Sequence, residues 1–295
     1  MLSSKIDWPS NLVNSIARRR TIIVIGSGVS KNSKNEKGLS PNSWKDFLIH
    51  CSNRCETSVK DTITKLISED NYLMACELIK RNMDKGDFAM EISKEYLKQY
   101  KPADIHEHIF NLDLPIIITP NFDCIYDTYS DQKTNGTVLI KSYYDDDIPK
   151  YIRGDGNVRL IIKSHGTAKT PERVIFTNQE YVEARTKYAL FYDLIKALAL
   201  THTFLFIGCG INDPDIKMVF EDIRFSHGNL LPKHYMTVSS NSVDKHIKEV
   251  FQEMTNIGFL EYNSDDNHAE LTYALENLSN LVDEERENLA KSRTW

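Results

Sequence analysis

Residues 21–30, Thr-Ile-Ile-Val-Ile-Gly-Ser-Gly-Val-Ser, join an unbroken apolar run to a loop that contains two glycines. Two later apolar runs also end in polar motifs. Residues 115–118 precede Thr119-Pro120-Asn121-Phe122-Asp123, and residues 158–162 precede Lys163-Ser164-His165-Gly166. Such runs are typical of strands buried in a parallel sheet. Because the carboxyl ends of parallel strands form the ligand crevice of an open α/β sheet, we expect the three motifs to surround one ligand.

The rest of the chain fits an α/β fold, a Rossmann-like parallel sheet with helices on both faces. Residues from Ser43 to about Tyr100 have helical spacing, as in Trp44, Phe47 and Leu48. This is too much chain for one crossover, so we predict one domain over residues 1–295 with a helical insertion at about 43–110. The polar segment 31–41 is a candidate lid beside the pocket, or simply a long connection. Further strands are expected at 137–141, 173–177, 203–207, 234–238 and 257–262, and residues 283–295 are expected to be a polar tail.

Composition limits the classes of partner. The 295 residues include 36 basic and 42 acidic side chains, for a net charge of −6. Direct binding to nucleic acid is not expected, because it needs a concentrated basic stripe. No uncharged stretch approaches the roughly 18 residues that span a bilayer, and the N-terminus lacks the apolar region of a secretion signal. Five cysteines without a disulfide-framework spacing agree with a reducing compartment, so we predict a cytoplasmic protein without membrane association.

No metal site is expected either. A structural zinc site needs four converging nitrogen or sulfur ligands, whereas Cys51 and Cys55 form a single loose pair. His106 and His108 lie two positions apart on a predicted helix, which directs them to different faces.

The ordered motifs resemble those of the sirtuin superfamily, in which Gly-Ala-Gly-x-Ser, Thr-Gln-Asn-x-Asp and His-Gly segments bind and cleave NAD. Residues 208–214, Gly-Cys-Gly-Ile-Asn-Asp-Pro, are similar to the Gly-x-Ser-x-x-Asp-Pro segment of the bacterial sirtuin-like branch. That branch is known for NAD hydrolysis in antiphage defence. The resemblance extends from Thr21 to Asp215. Cys209 departs from the pattern where a serine is common, and Pro120 stands where many relatives have Gln or Thr.

The resemblance implies roles for individual residues. Asn121, His165 and Asp123 would be catalytic, and the NAD-binding residues would be Gly26, Ser27, Gly28, Val29, Ser30, Gly208, Gly210 and Asp213. An asparagine amide can both donate and accept, which suits it to hold a water or a hydroxyl. Histidine ordinarily titrates near neutral pH, which suits proton transfer. Asp123 could orient Asn121, bind ribose or cap a helix.

The leading functional prediction is an NAD glycohydrolase that yields nicotinamide and ADP-ribose, as the effector of an antiphage system that depletes NAD. One alternative is a regulatory or assembly subunit that binds NAD or ADP-ribose with little turnover. Another is an NAD-dependent protein deacylase, although the absent zinc module argues against it. From the resemblance we also expect a homo-oligomer and a separate partner protein, such as a HerA-type ATPase.

Overall fold

The computed structural model describes residues 6–152, 158–211, 213–228 and 231–293. Their strands are β1 (Thr21–Ile25), β2 (Ile116–Thr119), β3 (Leu139–Ser142), β4 (Leu160–Lys163), β5 (Thr203–Ile207), β6 (His234–Ser239) and β7 (Ile257–Tyr262). Their helices are α1 (Ser10–Ala17), α2 (Ser27–Ser30), α3 (Trp44–Ser52), α4 (Thr57–Ser68), α5 (Tyr72–Asn82), α6 (Lys85–Tyr96), α7 (Asp104–Asn111), α8 (Ile125–Lys133), α9 (Ile148–Ile152), α10 (Asn178–Lys187), α11 (Ala189–Thr201), α12 (Pro214–His227), α13 (Lys245–Thr255) and α14 (Asp265–Ser292).

The seven strands form one sheet in the order β3-β4-β2-β1-β5-β6-β7, and every pair of neighbours is parallel. The chain leaves β1 toward β2 on one side and later returns to place β5 on the other side. This reversal makes a switch point, where the loops after β1, β2 and β5 border a crevice. The predicted Rossmann-like parallel α/β sheet is confirmed.

Alternate residues of each strand face opposite layers of helices, as the two-residue period of a strand requires. In β1, Ile23 and Ile25 pack into a core with α1, α7 and α14. Ile22 and Val24 face the other way, into a core with α10, α11, α12 and α13. All four side chains are at most 5% exposed. Burial of such a side chain contributes about 1.5–3 kcal/mol, which explains why the central strand contains only aliphatic residues after Thr21.

Helices α3 to α6 have a core of their own, which includes Phe47, Cys76 and Ile79. Phe176, from the segment after β4, closes this core with ring contacts to Phe47 and Phe88 at 5.8 and 5.1 Å. Helix α7 packs against α14 and the sheet instead. Within the predicted insertion at about 43–110, the separately packed part is therefore the four helices α3 to α6.

Residues 173–177, predicted to be a strand, are a 3-10 turn at Pro171–Arg173 followed by an extended segment. The Ile175 amide donates to His165 O at 3.0 Å. The segment cannot form a ladder with β4, because β4 already pairs with β2 and β3 on its two edges. The apolar side chains of the segment fill the space between the sheet and the inserted helices.

Residues 283–292, predicted to be a polar tail, continue helix α14. Leu289 is buried in the core beside the sheet. Arg286 donates to Leu112 O at 2.8 Å, and Glu285 accepts from the Asn14 side chain. These contacts anchor the last part of a helix, whose sequence over residues 283–292 is mostly charged, so local polarity was a poor guide there.

His234 is expected to make the fold sensitive to acid. Its ring is 1% exposed and lies 4.9 Å from the Phe220 ring, and burial lowers its pKa from 6.5 to about 4. Between those pH values the unfolded chain binds a proton that the folded chain does not, so stability falls as the pH drops. The loss should reach about 3 kcal/mol. It is measured by urea unfolding at pH 7, 6, 5 and 4.

His234→Asn is the matched variant, because its amide oxygen can replace Nδ1 as the acceptor for the Phe204 amide, now at 3.1 Å. The variant should start less stable but lose less stability with acid. Buried His106 also has a lowered pKa and continues to contribute. Parallel pH curves for the two proteins would show that His234 carries none of the effect.

Candidate active site

A cavity of about 470 Å³ lies between the carboxyl edge of the sheet and the inserted helices. This volume is within the usual range for small-molecule sites. The helical side of its wall includes Trp44, Tyr72 and Tyr96. The predicted site residues that line it are Gly26, Ser27, Ser30, Asn121, Asp123, His165, Gly208, Gly210 and Asp213. Gly28 and Val29 are absent from this lining.

The glycines after β1 and β5 allow two loops to interlock. The Gly26 amide donates to Ile207 O at 2.9 Å, and the Gly28 amide donates to Gly208 O at 3.0 Å. A Cβ at Gly26 would lie 2.2 Å from Gly208 O, and Gly208 itself has a φ of +66°. These two backbone N–H groups, at positions expected to bind NAD, are therefore used within the protein. Ser27 and Ser30 are the loop's other members at the cavity wall.

The Ser30 hydroxyl connects the loop after β1 to the motif after β2 that contains Asn121 and Asp123. It accepts a hydrogen bond from Asn121 Nδ2 at 3.1 Å and donates to Asp123 Oδ2 at 2.9 Å. The other oxygen of Asp123 accepts from the Ile125 amide at 3.0 Å, next to the start of α8. Asp123 thus acts at once on the helix start and on the position of Ser30 and Asn121.

A buried ion pair also supports the turn that contains Asn121 and Asp123. Lys163 Nζ lies 3.2 Å from Asp127 Oδ2, with the two side chains 1% and 3% exposed. It also donates to Asp123 O at 2.6 Å, which fastens the Asn121 turn to the end of β4. Burial alone lowers the pKa of Lys163, but Asp127 and Asp123 outweigh it and raise the pKa above its usual value. Removal of one partner would leave an unpaired buried charge, which is strongly destabilising.

His165 is enclosed by partners on both ring nitrogens. Nε2 lies 3.3 Å from Asp215 Oδ2, and Nδ1 lies 3.4 Å from the Tyr181 hydroxyl. Burial lowers the pKa of His165, but the Asp215 hydrogen bond and the charges of Asp213 and Asp215 raise it above its usual value. A histidine in this setting can accept a proton near neutral pH and keep the resulting charge balanced.

Helix α12 supplies the carboxylates. Asp213 caps it by accepting from the amides of Asp215 and Ile216 at 3.0 and 3.1 Å, the helix start expected of an Asp-Pro pair. Burial raises the pKa of Asp213, and the charge of Asp215 adds to this. Asp215 also accepts from the Tyr192 hydroxyl at 3.0 Å.

Tyr181 and Asp215 were not identified from the sequence as partners of His165. Tyr181 lies on α10, a mostly polar helix that apolar periodicity did not reveal. Asp215 is part of the Asp-Pro-Asp sequence at the start of α12, where it could be taken for a first-turn acidic residue that favours the helix dipole. Only the fold brings these two positions to the imidazole.

The candidate lid, residues 31–41, is tied down at both ends of its course. Lys34 pairs with Lys101 in an antiparallel bridge, and Ser40 accepts from Lys34 and donates to Lys31 O. Pro41, at its end, lines the cavity. The segment thus borders the cavity mouth.

The charge of the cavity wall is acidic. Asp70, Asp123 and Asp213 contribute carboxylates, and no Lys or Arg lines the cavity within the described part of the chain. No cluster of His, Cys, Asp or Glu suited to a metal ion occurs among the described residues. In the same ranges, no helix is both long and apolar enough to cross a bilayer.

Comparison with known proteins gives relatives and a family. The chain is 27% identical to Defense-associated sirtuin 2 of Bacillus subtilis over 53% of its length. It is 23% identical to NAD(+) hydrolase ThsA of Acinetobacter baumannii over 65% of its length, and 26% identical to NAD(+) hydrolase ThsA of Enterococcus faecium over 42%. These alignments span only 15%, 38% and 25% of the relatives' own lengths.

A crystal structure of cytosolic 5'-nucleotidase IIIB bound to cytidine aligns with a TM-score of 0.36 at 12% identity over 94% of this chain and 90% of that one, too low to indicate a shared fold. The profile of the SIR2-like domain matches residues 115–260, about half of the chain. This segment includes the Asn121 and His165 motifs and five complete strands of the parallel sheet, β2 to β6. The chain therefore belongs to the bacterial sirtuin-like family.

Proposed function

We propose that this protein is an NAD glycohydrolase, cleaving NAD to nicotinamide and ADP-ribose, and that it acts in antiphage defence by depleting NAD. The observation that carries the proposal is that Asn121 and His165, separated by 44 positions in sequence, line the same cavity. The names of the relatives, two NAD(+) hydrolases and a defence-associated sirtuin, support the substrate and the setting.

Cleavage of NAD does not need a strong general acid. Nicotinamide leaves as a neutral molecule, so the site must orient the ribose, position a water and accept one proton. Asn121 would hold the water or a ribose hydroxyl through its carbonyl oxygen or its second amide proton, since one amide proton already donates to Ser30. His165 would take the proton, with Asp215 compensating its charge.

The NAD pyrophosphate would be bound without cations. The described cavity wall has no Lys or Arg, so hydroxyl groups such as that of Ser27 and remaining backbone N–H groups would hold it. The aromatic side chains Trp44 and Tyr72, whose rings lie 5.7 Å apart, are suited to contact a planar base.

The direct test is to incubate the whole chain with NAD at several protein concentrations and to quantify products by chromatography. We expect nicotinamide and ADP-ribose in equal amounts, and no O-acetyl-ADP-ribose when an acetyl-lysine peptide is added. A rate per unit of protein that rises with protein concentration would support the expected homo-oligomer. Absence of nicotinamide under all these conditions, and in cells that express the protein, would contradict the proposal.

A second candidate function is a subunit that binds NAD or ADP-ribose without turnover and works with a partner ATPase. One observation favours it: both ring nitrogens of His165 are already occupied and the side chain is 7% exposed. Isothermal titration that shows tight NAD binding, together with no released nicotinamide, would support this candidate over the hydrolase.

A further inference from the structure

We propose that Tyr181 is the group that takes the proton from the substrate side, and that Tyr181, His165 and Asp215 form a relay through which this proton moves. The inference rests on the proposed NAD cleavage. It adds one catalytic residue, Tyr181, and one positioning residue, Asp215.

Both nitrogens of the His165 imidazole face a partner. Nε2 faces Asp215 Oδ2 at 3.3 Å and Nδ1 faces the Tyr181 hydroxyl at 3.4 Å, so neither nitrogen is left to accept from a substrate directly. A carboxylate oxygen only accepts a hydrogen bond, so Nε2 carries the proton in its bond to Asp215. Nδ1 is then the acceptor in neutral His165, and the Tyr181 hydroxyl is its donor.

Tyr181 borders both the cavity and His165. It lines the cavity together with Asn121, and its ring stands edge-on to His165 with centroids 5.1 Å apart. Its hydroxyl can accept a further hydrogen bond while it donates to Nδ1. A water or ribose hydroxyl held by Asn121 can therefore reach His165 through this phenol.

The Asp215 end of the relay is held in place by neighbouring side chains. Asp215 is held by the Tyr192 hydroxyl at 3.0 Å and by Arg185 at 3.5 Å, and its own helix is capped by Asp213. The groups that face the relay are thus Asp213 and Asp215 from the start of α12, Tyr181 and Arg185 from α10, and Tyr192 from α11. An imidazole that is fixed in one tautomer by a carboxylate is a recurring arrangement for proton transfer.

The proton balance closes without a further reactant. The water oxygen bonds to the anomeric carbon as the C–N bond breaks and its electron pair leaves with nicotinamide. The water proton passes to the Tyr181 oxygen, and the phenol proton passes to His165 Nδ1. The imidazolium, balanced by Asp215, releases its proton to solvent after the products leave.

The test compares Tyr181→Phe with Tyr235→Phe, which also loses one buried-ring hydroxyl contact, to Asn11 at 2.9 Å, but on β6 away from the cavity. Tyr181→Phe should lower kcat about 10–100-fold with KM changed less than about 3-fold, because only proton transfer is lost. Tyr235→Phe should keep the wild-type kcat. Asp215→Asn should lower kcat by roughly 10²-fold or more and move the acid limb of the pH profile to lower pH.

A Tyr181→Phe enzyme with wild-type kcat and pH profile would overturn the relay while leaving NAD cleavage intact. If instead wild-type protein releases no nicotinamide, the proposed function fails, and nitrogen NMR of His165, assigned with His165→Gln, still decides the relay. An Nδ1 signal that changes in Tyr181→Phe supports the hydrogen bond. An Nδ1 signal that is identical in both proteins overturns it.

Discussion

Asn121→Ala is expected to lower kcat for NAD cleavage by about 10²–10³-fold, the usual effect of removing one oriented polar group from a reacting centre. The fold should be retained, because the side chain is only partly buried and its backbone amide keeps the bond to Thr119 Oγ1 at 3.1 Å. The measurement is nicotinamide release at saturating NAD. Titration with ADP-ribose in the same variant should show binding within a few-fold of wild type.

Two further variants sharpen this result. Ser30→Ala keeps the amide but removes the hydroxyl that orients it toward Asp123, so its kcat should fall less, by about 10-fold. The double variant should be no slower than Asn121→Ala alone, because both changes act on one hydrogen-bonded unit. Asn11→Ala is the matched control outside the cavity. A wild-type rate of NAD cleavage in Asn121→Ala would contradict the catalytic role proposed for Asn121.

The sequence was sufficient to predict the class of fold because the strands needed no partner to be recognised. Residues 22–25, 116–118 and 204–207 are aliphatic or aromatic throughout, as strands covered by helices on both faces must be. The segment 173–177 has similar residues and was wrongly predicted as a strand. Whether a ladder position exists depends on β4 pairing with β2 and β3, which no local pattern records.

The candidate site follows the same division. Gly26, Asn121 and His165 could be located from strand ends, because topology alone places strand ends at one edge. Which side chains contact these residues could not be located in the same way. Tyr181 lies within α10, and Ser30 contacts Asn121 across 91 positions of sequence. Side-chain contacts of this kind depend on packing, and hydrophobic periodicity carries no information about them.

The site also depends on how closely its backbones approach. The interlock of the β1 and β5 loops sets the position of Ser27 and Ser30 on one side and of Asp213 on the other. The glycines there serve packing between protein segments first. A glycine that binds NAD and a glycine that allows close packing have the same sequence signature, which is why the sequence alone predicted the former.

Gly26→Ala is therefore expected to be among the most damaging single changes in the protein. The added Cβ would lie 2.2 Å from Gly208 O and 2.7 Å from Cys209 Cα, and both atoms belong to backbone that cannot turn aside like a side chain. The loops must separate, with loss of the Gly26 bond to Ile207 O. We expect destabilisation of roughly 3 kcal/mol, measured by urea unfolding, and a fall in NAD cleavage of about 10²-fold from misplaced groups.

Gly210→Ala is the matched control for stability, because a Cβ at Gly210 meets no atom within 4 Å. Its free energy of unfolding should stay within about 0.5 kcal/mol of wild type, since it adds neither a clash nor a cavity. The pair separates steric cost from the general effect of replacing glycine in a loop, which acts through the unfolded chain and should be similar in both. Equal stability of Gly26→Ala and Gly210→Ala would mean that the two loops do not touch as described. The position of Ser30, and with it that of Asn121, would then need another support.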